Sequence, residues 1–146
     1  MTGLLERKLS KSREALLRSC VQMLSVKSWD DISIDDIENY IHKTRGAIFH
    51  HYKTKDELFS NAIAYFVARS NLCHPITEVP ICYTFIETLK DVFDIDNPEK
   101  AFINLVSQAL YKRINLIPNS FLKCSPEQVG KEEQALGKIL FRVLTN

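Results

Sequence analysis

Thr44-Arg45-Gly46-Ala47-Ile48-Phe49-His50-His51-Tyr52-Lys53-Thr54-Lys55-Asp56-Glu57-Leu58 is the stretch whose reading decides the fold. It reads as a very short helix, a turn, and the first turn of a longer helix. From Ile41 to Lys55 it holds Lys43, Arg45, Lys53 and Lys55 and no Asp or Glu, with aromatic and imidazole rings set between the cations. A segment this short buries no core of its own, so its neighbours must hold it out. Cations interleaved with rings on a projecting element suit a nucleic-acid probe. The plainer alternative is a basic, solvated face.

Upstream, Ser33 is a good N-cap, with Asp35 and Asp36 in the first turn where acids suit the positive end of the helix dipole. Ile34, Ile37 and Ile41 give this helix a buried face as far as Tyr40 or Ile41. His42 and Lys43 form a tight turn, and Thr44 caps the short helix with its hydroxyl in reach of the Ala47 N–H. A helix, a turn of three or four residues and a short helix make a helix-turn-helix arrangement. An earlier helix, from Ser10 or Ser12 to Val26, supports it through a stripe of Leu16, Leu17, Cys20, Val21 and Leu24. Lys27-Ser28 ends that helix, and Trp29 packs beneath the turn. Residues 1–8 read as a frayed arm, where Arg7 and Lys8, with Lys11 just beyond, add charge.

Downstream, Thr54 caps a fourth helix whose stripe is Leu58, Phe59, Ala62, Ile63, Phe66 and Val67. Two prolines within His74-Pro75 to Pro80 break the helical pattern. Three more helices are expected: Ile81 to Phe93, Pro98 to about Ile117, and Pro126 to about Leu144. Asn97-Pro98 and Ser125-Pro126 are start signals with Pro at the first helical position, and Pro118 is a stop. The apolar residues keep helical spacing throughout, so the fold class is all-α.

The 146 residues suit one ordinary domain, or a small module on a helical body. Hydrophobic content of 45% and charged content of 25% exclude a disordered chain, and the net charge of +1 says nothing as a total. No apolar run is long enough to span a membrane and the polar N-terminus lacks a secretory core, so a cytoplasmic protein without membrane association is expected. Cys20, Cys73, Cys82 and Cys124 are scattered without a C-x-x-C pair and read as reduced thiols. No nucleophile elbow, phosphate-binding glycine loop, metal-ligand cluster or carboxylate pair stands out, so catalysis, cofactors and metals are not expected.

Ser33 to Leu58 resembles the DNA-binding domain of TetR-family transcriptional regulators. Asp36-Ile37 matches the family's capped second helix and Thr44 its Ser cap. Gly46 falls on its Gly, Ala47-Ile48 on its small-then-apolar pair and Phe49 on its Tyr. His50-His51-Tyr52 takes the ring positions, and Lys53-Thr54-Lys55-Asp56-Glu57-Leu58 the start of the fourth helix. Ser28-Trp29 stands where the family has Gly and an aromatic residue. The resemblance covers roughly residues 10–67. It departs at His42, where the family has a turn Gly and a positive φ is expected, at Glu38 in place of a small Ala, and at Phe49, which lacks the Tyr hydroxyl.

The resemblance implies a helix-turn-helix domain over residues 1–55, a linking helix over 55–70 packed on it, and an effector-binding and dimerisation body over 71–146. It implies a homodimeric, ligand-responsive repressor on a palindromic DNA operator, with a small apolar effector as a further partner. The DNA-binding residues would be Ser33, Thr44, Arg45, Gly46, Ala47, Phe49, His50, His51, Tyr52, Lys53 and Lys55. Gly46 and Ala47 allow close approach, Arg45, Thr44, His50 and His51 donate to bases and phosphates, and Lys53 and Lys55 join free N–H groups of the next helix on phosphate. Phe49 and Tyr52 read as packing rings before base-stacking ones. His50 and His51, as adjacent helical residues, would point about 100° apart, which disfavours a metal. Asp36 and Glu38 are placed away from the duplex.

In the body, Tyr83, Phe85, Phe93, Phe102, Tyr111 and Phe121 are core residues first, and Tyr83, Phe85, Phe102 and Tyr111 are the pocket walls that the family implies. Two alternatives stay open. One is a truncated regulator without effector sensing, and the other is a helical interaction protein on the same scaffold with weak or lost DNA binding.

Overall fold

The computed structural model describes residues 11–73, 80–114 and 126–145, with side chains at 71–73 left aside. The arm at 1–8, the Ser10 start, the Cys73 side chain, the break at His74-Pro75, the helix beyond Ile114 to Ile117 and Pro118, Phe121, Cys124 and the Ser125 cap lie outside these. The described residues are all helical: α1 (Lys11–Leu24), a 3-10 turn (Trp29–Asp31), α2 (Ile34–Ile41), α3 (Arg45–Phe49), α4 (Lys55–Cys73), α5 (Ile81–Asp91), α6 (Pro98–Tyr111) and α7 (Pro126–Thr145).

Local chemistry sets the starts. The Ser33 hydroxyl accepts the Asp36 N–H at 3.0 Å while the Asp36 carboxylate accepts the Ser33 N–H at 3.0 Å, a reciprocal capping box. Thr44 accepts from the Ala47 N–H at 3.2 Å, Thr54 from Glu57 at 3.0 Å, and Asn97 from Lys100 ahead of Pro98. The stops are less usual, because positive φ falls on non-glycine residues, His42 (φ 60°), Asp94 (φ 53°) and Arg113 (φ 58°). Each carries the Cβ cost that makes glycine the common choice. At Arg113 this ends α6 at Tyr111, six residues before the sequence suggested (117 − 111 = 6). The Ile114 N–H turns back to the Ala109 carbonyl at 2.7 Å, closing the end of the helix.

Among the described residues one buried apolar cluster joins α1 to α7. α1 lies along α4 through Leu16, Leu17, Cys20, Val21 and Leu24 against Leu58, Phe59, Ala62, Ile63 and Phe66, all buried. Trp29, 2% exposed, meets the Phe59 ring edge-on at 4.9 Å. Phe66 then touches Phe85 at 5.2 Å and Phe93 at 5.9 Å, and Phe85 lies 6.1 Å from Phe102, so rings link α4 to α5 and α6. Fully burying each phenylalanine contributes about 2–3 kcal/mol before entropy is counted.

α6 also grips the N-terminal helices by polar contacts. The Gln108 side chain accepts the Trp29 N–H and donates to the carbonyls of Leu24 (3.0 Å) and Lys27 (3.3 Å). It thereby satisfies the frayed end of α1. Lys112 lies between Asp30 (3.6 Å) and Asp56 (3.8 Å), 5.3 Å from the Trp29 ring centre. α7 closes the bundle with Ala135 and Ile139, and its Glu132 carboxylate accepts the N–H groups of Ile81 and Cys82 at the start of α5. Val129, Phe141 and Leu144 of α7, and Leu110 and Tyr111 of α6, stand exposed. None of the described helices is long and apolar enough to cross a membrane.

Candidate nucleic-acid interface

α3 has only five residues and holds its place through two side chains. Ile48 (1% exposed) and Tyr52 (2% exposed) are buried in the core cluster. The Tyr52 hydroxyl accepts from Arg13 of α1 at 3.4 Å, and the guanidinium lies 5.5 Å from the ring centre. Tyr52 is thus an anchor, closed to base stacking, and Phe49 is half-buried against the same cluster. Ile48 anchors the helix itself and Tyr52 the turn that follows it. Thr44, Arg45, Gly46, Ala47, His50, His51 and Lys53 are exposed, and a Cβ built on Gly46 would meet nothing within 4 Å.

His50 and His51 do not point apart as successive helical residues would. α3 ends at Phe49, and the two imidazoles sit edge to face with centres 4.9 Å apart. Partial desolvation, then the nearby charges of Arg13 and His50, hold the His51 pKa below its usual range. This favours the neutral form of His51, which donates at one ring nitrogen and accepts at the other. No group of three or more metal-ligating side chains occurs among the described residues.

Three expected DNA contacts already have partners inside the protein. The Ser33 hydroxyl serves the α2 cap. Lys55 turns inward, its ammonium donating to the carbonyls of Trp29 (3.1 Å) and Ile32 (2.9 Å). Arg45 folds back on α2, with Nε donating to Glu38 at 3.0 Å and Nη2 to Asp35 at 2.8 Å. Glu38 therefore stands beside the candidate surface instead of away from it. The start of α4 is also less open than expected, because Glu57 accepts the Lys53 N–H at 3.1 Å and Thr54 the Glu57 N–H. Lys43 and Lys53 remain as exposed cations flanking α3.

Asp36 is held as an anion. Hydrogen bonds from the Ser33 backbone and hydroxyl, and then the charge of Lys27 at 3.8 Å, depress its pKa below the ordinary 3.8.

Away from these residues in the chain, α5, α6 and α7 line an open cleft of about 490 Å³. Phe85 and Phe102 line it as expected, but Tyr83 and Tyr111 do not. Tyr111 is 75% exposed and lies beside Lys112, because α6 turns it to the outside. Val106, Leu110 and Leu136 supply apolar wall, while Arg113 and Glu133 stand among the lining residues. Burial pushes the Cys82 thiol on this wall up to about 12, with help from the Glu132 carboxylate, so it stays protonated. Sequence reasoning missed Gln108, Lys112 and Glu132. Each acts on backbone or charge distant in the chain, and no local pattern marks it.

No protein-family model matches the chain, and no curated protein and no solved structure matches it either.

Proposed function

We propose that the protein is a DNA-binding transcriptional regulator in which α2 and α3 form a helix-turn-helix and α3 enters the major groove of an operator. The observation that carries this is the five-residue helix anchored by Ile48 and Tyr52, whose other face is exposed, small at Gly46 and Ala47, and flanked by Lys43 and Lys53. A helix presented in this way allows close approach of backbone to base edges while cations meet phosphate. The resemblance of Ser33 to Leu58 to TetR-family regulators supports the same function.

The body supports regulation. The cleft is large enough for a small apolar effector, and α6 serves both sides, lining the cleft with Val106 and Leu110 and gripping the Trp29 turn with Gln108 and Lys112. An effector that displaces α6 shifts the support beneath α2 and α3 and lowers DNA affinity. The exposed Phe141 and Leu144 of α7 support a homodimer, which would present two recognition helices to a palindromic site.

A second function, an interaction protein without DNA binding, draws on the neutralisation of Arg45 by Asp35 and Glu38. Fluorescence anisotropy against duplexes from the DNA flanking the protein's own gene separates the two. Micromolar or tighter binding at low salt that weakens steeply with added salt supports the regulator. No binding at low salt supports the interaction protein. Sedimentation at micromolar concentration tests the dimer, and a monomer would refute that part.

A further inference from the structure

The contacts of Arg45 point to a function for the two acids that a DNA-binding surface ought not to carry. Asp35 and Glu38 lie three residues apart in α2 and so share one helix face. Both reach the first residue of α3, Glu38 at Nε and Asp35 at Nη2. A guanidinium has five N–H donors in a rigid plane. Two are taken here, leaving both hydrogens of Nη1 and one of Nη2. The side chain is still 57% exposed, so part of the guanidinium stays open to solvent at the start of α3, next in the chain to the exposed Gly46 and Ala47. Paired donors on a planar edge match the O6 and N7 acceptors of guanine in the major groove.

We infer that Asp35 and Glu38 are positioning residues that hold Arg45 as a guanine reader and favour sequence preference over general affinity. The inference rests on the DNA-binding function proposed above. Two effects act together. Exposed ion pairs are individually weak, but two on one guanidinium restrict a side chain that otherwise loses much rotamer freedom on binding. The same carboxylates repel phosphate on every sequence alike, which lowers binding to unrelated DNA. An arginine on a bare surface would bind any phosphate. This one is held by its neighbours and gains most where a base offers two acceptors.

The test compares wild type with Asp35→Asn, Glu38→Gln and Arg45→Lys, each checked for folding by circular dichroism. Binding is measured by anisotropy at one fixed salt concentration. The probes are the duplex that wild type selects from a random library, the same duplex with single G·C to A·T changes, and an unrelated duplex. Glu38→Gln and Asp35→Asn are expected to bind the unrelated duplex more tightly. Their discrimination against the critical G·C change should fall by about tenfold, the scale of one bidentate base contact. In the Arg45→Lys background, Glu38→Gln should cause no further loss of discrimination, because the fork it positions is gone. If both acid variants gain affinity by one factor on all duplexes and keep the wild-type discrimination, the inference is overturned while DNA binding stands. If wild type binds no duplex at low salt, the proposed function fails, and the inference with it.

Discussion

Replacing Lys55 by Met separates support of the fold from contact with DNA. Met keeps the apolar stem of the side chain and removes the ammonium that donates to the carbonyls of Trp29 at 3.1 Å and Ile32 at 2.9 Å. The Trp29 carbonyl opens the 3-10 turn and otherwise accepts only a long bond from the Ile32 N–H at 3.4 Å, while the Ile32 carbonyl lies just past the turn, ahead of the α2 cap. A hydrogen bond from a charged donor contributes about 1.5–3 kcal/mol when buried. Lys55 is half-buried, so each bond falls at the low end of that range, and drying the ammonium offsets part of the sum. The expected loss is about 2 kcal/mol, roughly thirtyfold in the folded-to-unfolded ratio. For a chain of this length the thermal midpoint falls by about 5–8 °C. Far-UV circular dichroism on heating and urea titration at 25 °C measure it, with the urea slope unchanged. DNA binding at 10 °C, where the variant stays folded, should keep the wild-type salt dependence. A phosphate contact would instead reduce that slope by about 0.9. A loss of stability under about 0.5 kcal/mol, together with a reduced slope, would refute this account of Lys55.

At Gly46 the opposite separation is expected: Gly46→Ala meets no neighbour, gains about 0.5–1 kcal/mol of helix stability in urea titration, and binds DNA more weakly because its methyl would face the duplex in the proposed complex. His42→Gly relieves a left-handed backbone at a non-glycine residue and should stabilise by about 1 kcal/mol in the same assay, with the far-UV spectrum unchanged. Ser33→Ala removes one of the bonds that depress the Asp36 pKa. A depressed carboxylate contributes stability that is complete above its unfolded pKa and is lost as pH falls through the folded one, so the deficit of Ser33→Ala relative to wild type should be larger at pH 6 than at pH 2.5. A deficit equal at both pH values would show that only the hydroxyl cap was lost.

By itself the sequence determined the all-helical class, because the apolar positions of α1, α2, α4 and α5 recur at helical spacing and land in the core. It also determined the local devices. The Ser33, Thr44, Thr54 and Asn97 caps each depend on atoms within about four residues, whereas the positive φ at His42 was expected only from the family resemblance. The stop of α6 was not legible, because the chain turns left-handed at Arg113, just past Tyr111, without a local signal that separates it from any other arginine.

The chemistry of the candidate surface belonged to the tertiary structure. Arg45, Lys55 and Tyr52 look alike in sequence, as donors and rings between cations. Packing sends Arg45 to Asp35 and Glu38 on the preceding helix, Lys55 to carbonyls more than twenty residues away, and Tyr52 into the core. The same is true of the body, where the turn of α6 puts Phe102 in the cleft and Tyr111 outside. Sequence spacing sets which side chains share a face of one helix. Which of them meets a partner, and which is left for a ligand or for DNA, is set by how the helices rotate against each other to bury Ile48, Phe59 and Phe66.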